Sequence, residues 1–108
     1  MNKSLKKKWT KALRSGEYVQ GTNRLVTPCG DYDEFCCLGV ICDVMGVEFE
    51  EHPTKGLIIA GTLRNSTLPK PLLDKTGLSK NDQVALMRFN DLSCWNFNKI
   101  ADWIDENL

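Results

Sequence analysis

Apolar residues recur at helical spacing near both ends of the chain, and shorter apolar segments divided by turn-forming residues lie between them. Leu5, Trp9, Ala12 and Leu13 fall on one face with lysines on the other and Gly16 placed as a stop, which predicts an amphipathic helix over residues 3–15. At the other end, Asn96 is placed to cap a helix whose Phe97, Ile100, Ala101, Ile104 and Leu108 form a second stripe. Glu17–Gln20 and Arg24–Thr27 flank Gly21-Thr22-Asn23 and predict a short hairpin. Pro28 and Gly30 then mark a loop.

The run from Phe35 to Met45 is apolar on nearly all sides, preceded by Asp31, Asp33 and Glu34 and followed by Gly46. Acids before such a run and glycine after it are helix start and stop signals, and a helix apolar all round must be surrounded by the rest of the domain. A strand is the competing reading, because Val, Ile and Phe favour strands and Gly39 weakens a helix by about 1 kcal/mol relative to Ala. Val47–Glu50 and Leu57–Ala60, joined by a Pro53–Gly56 turn, predict an antiparallel pair. Residues 62–69 carry no clear signal. Pro71–Gly77 predicts a short helix, and Ser79-Lys80-Asn81-Asp82 predicts a capping box leading into Val84, Leu86, Met87 and Phe89. The expected fold is α+β: one compact domain over residues 1–108 with N- and C-terminal helices, a buried central helix and a small antiparallel sheet.

Length and composition agree with one domain. A chain of 108 residues with 42% hydrophobic and 26% charged residues is neither disordered nor long enough for two cores. Surface scaling leaves about 6,000 Å² exposed in the fold against about 17,700 Å² for the open chain. No apolar run approaches the roughly 20 residues that span a bilayer, and the lysine-rich start lacks the apolar stretch of a signal peptide. No membrane association is expected.

The formal net charge of zero conceals segregation: residues 1–30 carry seven basic side chains and one acid, whereas residues 31–51 carry seven acids and no base. Each block reads first as a solvated face, the two attracting each other within the fold. Nucleic acid is not expected as a partner, because a basic stripe is not accompanied by a basic excess and no phosphate-binding glycine pattern occurs.

Chemistry, if present, has few candidates. Cys29, Cys36, Cys37, Cys42 and Cys94 are odd in number and do not make a disulfide framework, and the lone His52 without a C-x2-C pair does not make a zinc site. No metal and no cofactor is expected. Cys36 or Cys37 at the start of the central helix could be a nucleophile with His52 as base and Asn90 or Asp91 as orienting group, an order shared with papain-like hydrolases. Against this, the neighbouring acids and the apolar surroundings both raise a thiol pKa, so we read the pair as packing. Asn90 and Asp91 read first as helix-capping or turn residues, or alternatively as holding a ligand amide or hydroxyl. Trp103 lies near the edge of the apolar stripe and Trp95 in the preceding loop, positions where tryptophan either covers a core margin or anchors an interface.

The blocks Trp9-x-x-Ala12-Leu13-Arg14-Ser15-Gly16-x-Tyr18-x-Gln20, Phe35-Cys36-Cys37-Leu38-Gly39-Val40-Ile41-Cys42-Asp43, Asn90-Asp91 and Phe97-x-x-Ile100-Ala101-Asp102-Trp103-Ile104 resemble a group of small bacteriophage proteins, in the same order and over nearly the whole chain. The resemblance implies a virus-encoded accessory protein acting in a bacterial cytoplasm, and it implies no reaction. The expectation is therefore a non-catalytic binding protein for a host protein or a small ligand, with Trp95, Trp103, Asn90 and Asp91 as binding residues and homodimerisation open. The alternative is a small cysteine-dependent hydrolase or transferase using Cys36 or Cys37 with His52.

Overall fold

In the computed structural model, which describes residues 1–108, the chain begins with a capped helix. Oδ1 of Asn2 accepts from the Leu5 amide at 2.9 Å and starts α1 (Lys3–Arg14). Leu13 and Trp9 on its apolar side are buried, as their spacing predicts. Three short strands follow, β1 (Val19–Gln20), β2 (Val26–Pro28) and β3 (Asp33–Phe35), in the spatial order β1-β3-β2.

The hairpin predicted between residues 17–20 and 24–27 does not form. Strand β1 instead runs parallel to β3, with Val19 opposite Glu34 and Gln20 opposite Phe35, and β2 pairs antiparallel to β3 through the loop that holds Gly30. The turn-like Gly21-Thr22-Asn23 is drawn elsewhere: the Gly21 amide donates to Phe35 O at 2.8 Å and the Asn23 amide donates to Asp91 Oδ1 at 3.0 Å. Tertiary hydrogen bonds have overridden a local turn signal.

The central helix α2 (Cys37–Val44) starts two residues later than the acids suggest, because Asp33 and Glu34 belong to β3 and no acid lies in the first helical turn. Every residue from Cys37 to Cys42 is buried. Strands β4 (Phe49–His52) and β5 (Gly56–Ile59) form the expected antiparallel pair, in register from Phe49 opposite Ile59 to His52 opposite Gly56. Helix α3 (Lys70–Thr76) closes on Gly77, and the predicted capping box opens α4 (Lys80–Asp91): Asp82 N donates to Ser79 Oγ at 3.0 Å and Ser79 N to Asp82 Oδ2 at 2.9 Å. Asn96 caps α5 (Phe97–Asn107) through the Lys99 amide at 2.9 Å.

Helix α1 packs on both α5 and α2, and α4 closes the far side of α2. The structure is a single α+β domain exposing 6304 Å², near the area expected from surface scaling. The charge blocks do not meet as expected. The ion partners of α1 come from α5, where Asp102 and Asp105 bind Arg14 at 2.7 and 2.8 Å.

Gly39 brings α2 against bare backbone: a Cβ there would stand 1.9 Å from Leu25 O. The glycine that weakens the helix intrinsically is what lets it approach the chain before β2. Gly39→Ala should therefore lower the urea-unfolding free energy by roughly 2–3 kcal/mol or more. Gly16→Ala, which meets no atom but sits at φ +76°, should cost only about 1–2 kcal/mol in the same measurement.

Candidate functional site

The start of α2 is where catalysis was possible, and the structure seals it. Cys36 is the N-cap residue: its amide donates to Leu25 O at 3.1 Å, while its Sγ accepts from the Gly39 amide at 3.4 Å. The Cys37 amide donates to Asn90 Oδ1 at 3.2 Å, its Sγ lies 3.6 Å from Leu86 O, and its carbonyl accepts from Trp9 Nε1 at 2.9 Å. Cys36 is 5% exposed and Cys37 and Cys42 are fully covered.

Burial pushes the Cys36 thiol from 9.0 up to about 11, against the pull of the Gly39 and Leu38 amides and with the charge of Asp91 adding to the rise. Burial likewise raises Cys42 to about 12 and Cys37 well above the ordinary value. The dipole at the start of a helix can lower a thiol pKa, but here desolvation outweighs it.

His52 does not join these thiols. It ends β4, and its Nδ1 accepts from the Thr54 and Lys55 amides, each at 3.2 Å, so the imidazole fastens the β4–β5 turn. No group of three His, Cys, Asp or Glu side chains is arranged to hold a metal ion. No helix is long and apolar enough to cross a membrane.

Asn90 and Asp91 take a role that neither sequence reading described. Asn90 is 1% exposed, and its Oδ1 accepts from Gln20 Nε2 at 2.9 Å as well as from Cys37. Its Nδ2 donates to Gly21 O at 2.9 Å and to Asp91 Oδ1 at 2.8 Å. The pair thus ties α4 to β1, to the segment after β1 and to the start of α2. Nothing in a lone Asn-Asp sequence distinguishes this from a cap, because each partner is distant in the chain.

Trp95 and Trp103 are half-buried beside Phe89. Trp95 stacks on it with centroids 4.0 Å apart and planes 7° apart, and Trp103 meets it edge-on at 5.0 Å. Lys99 Nζ sits 4.4 Å from the Trp95 ring centroid. Both tryptophans cover the margin between α4 and α5.

The outer face of α4, with the residue that caps its end, exposes two large apolar side chains. Val84 is 52% and Leu92 73% exposed, flanking an open groove of about 290 Å³ completed by Asn23, Met87, Arg88 and Asp91. A signal for it existed in the sequence. Val84, Arg88 and Leu92 recur every four residues, on the opposite side of α4 from the buried Gln83, Leu86 and Asn90.

Residues 1–55 match the family model described as Domain of unknown function (DUF8296). That stretch contains Cys36, Cys37 and His52 and ends before α4. No curated protein and no solved structure matches the chain.

The raised thiols set the behaviour of the fold in alkali. In the unfolded chain they lose protons near 9.0, whereas the folded chain holds them to about 11 at Cys36 and about 12 at Cys42. The folded state then binds more protons, so stability is complete below about pH 8 and falls as pH rises through 9 to 12, by up to roughly 1.4 kcal/mol per pH unit per thiol. Urea titrations at pH 7, 9 and 10.5 should show this decline, and Cys42→Ala, which removes one of the three raised thiols, should make it shallower between pH 9 and 10.5.

Proposed function

The chain belongs to the DUF8296 family, a domain of unknown function, and from that premise we propose that it is a non-catalytic accessory protein of a bacteriophage that binds a host protein in the bacterial cytoplasm. The surface we assign to this role is the α4 face around Val84, Arg88 and Leu92. The observation that carries the reading is the exposure of Val84 and Leu92 on either side of one groove, with Arg88 and Asp91 among its lining residues. Apolar anchors among polar groups are the composition of a protein-binding patch. Trp95, stacked on Phe89, and Trp103, edge-on to it, join α4 to α5 and so steady the helix that carries this face.

The cysteine-dependent hydrolase loses its support from the same geometry, because its nucleophile is covered and its base is committed to a turn. The resemblance to small phage proteins supports the viral origin and the bacterial setting. A second copy of the chain is the other occupant that an apolar patch could take, and light scattering across a concentration series separates the two.

Tagged protein passed through bacterial lysate should retain a partner that Val84→Glu and Leu92→Glu each lose by roughly tenfold or more, the scale of a central interface residue. Both positions are exposed, so the variants should keep the wild-type melting temperature. Equal retention by wild type and both variants would contradict the assignment.

A further inference from the structure

On the other side of Val84, between α3, the start of α4 and the segment from Arg64 to Leu68, lies a second cavity of about 380 Å³. Its polar lining consists of Arg64, Thr67, Lys70, Lys80 and Gln83, with no carboxylate among the lining residues. Gln83 is 8% exposed. Its Oε1 accepts from the Leu68 amide at 2.7 Å, which fixes the orientation of the carboxamide, and its Nε2 has no acceptor in the protein. No buried side-chain nitrogen or oxygen of the chain lacks a partner, so Nε2 is reached by solvent and is free to donate to a group bound in the cavity that Gln83 lines.

The other groups in the cavity are donors too. Arg64 Nη1 donates to Thr67 Oγ1 at 2.9 Å, which leaves the Thr67 hydroxyl proton free to donate onward. Neither Arg64 nor Lys80 has a carboxylate partner, and Lys70 is held only by an exposed contact to Asp74 at 3.4 Å. Three cations, one of them partly offset, match the charge of about −1.5 to −2 that a phosphate monoester carries at pH 7 better than a single carboxylate does. Leu73 and Val84 supply apolar wall beside this polar end. The α1 lysines carry more charge, but Arg14 among them is already bound by Asp102 and Asp105.

We propose that this cavity binds a small organic phosphate, its phosphoryl oxygens accepting from Gln83 Nε2, Arg64 and Lys80 and its organic part lying on Leu73 and Val84. The site shares Val84 with the groove assigned to a protein partner, but Arg64, Lys80 and Gln83 line this cavity alone and Leu92 lines that groove alone, so variants at those positions test the two readings independently.

Titration of the ¹⁵N-labelled protein with phenyl phosphate, and separately with inorganic phosphate at matched ionic strength, tests it. Phenyl phosphate should move the Gln83 side-chain amide signals saturably and bind more tightly than inorganic phosphate. Gln83→Glu keeps an acceptor for the Leu68 amide but adds negative charge and should abolish the response. Lys80→Gln, at an exposed position, should weaken binding by roughly tenfold, as loss of a charged hydrogen bond does. Gln83 signals that stay still, shifts confined to the α1 lysines, equal affinity for the two ligands, or unchanged affinity in Lys80→Gln would overturn the proposal.

Discussion

The hydrogen bond from the Cys37 amide to Asn90 Oδ1 is the contact on which the rest of this fold depends. A helix as apolar as α2 is stabilised by burial on every side, but burying its start removes water from amides that have no partner within the helix. Leu25 O takes the Cys36 amide, Cys36 Sγ takes that of Gly39, and Asn90 takes that of Cys37. Each donor stranded there would cost about 1–3 kcal/mol. Because Asn90 belongs to α4 and Leu25 precedes β2, satisfying the start of α2 also fixes where those elements sit.

The same burial determines the chemistry. A thiol at a helix start is a nucleophile only where water or a base can reach it, and here the cap is closed by backbone, by Asn90 and by the Trp9 indole on the Cys37 carbonyl. Desolvation raises all three thiols in the α2 segment, so the features that make α2 a good core element make it a poor reaction centre. The surface left for function is peripheral. Helix α4 serves both regions: Asn90 and Leu86 face the core, while Val84 and Leu92 face outward.

Local signals in the sequence were reliable where neighbouring residues sufficed to satisfy them. The Asn96 cap, the Ser79–Asp82 box and the β4–β5 pair each close within a few residues, and the stripes of α1 and α5 are periodic over several turns. The β1 segment was misread because Gly21-Thr22-Asn23 looks like a turn to any local rule, whereas its amides bond to Phe35 and Asp91. The roles of Asn90 and Gln83 were illegible for a related reason. A carboxamide inside a helical stripe looks like an ordinary polar position until its distant partners, Cys37 and Leu68, are brought beside it.

The central claim is that α2 is sealed and opens only when the whole molecule does. Native-state hydrogen exchange in low denaturant tests it most directly, read at the Cys37 amide, at the Ile41 and Cys42 amides and at the Trp9 indole. All should exchange with the free energy of global unfolding, more slowly than the amides of α3. Exchange of the Cys37 amide or the Trp9 indole through a local opening, while α5 stays protected, would contradict the account.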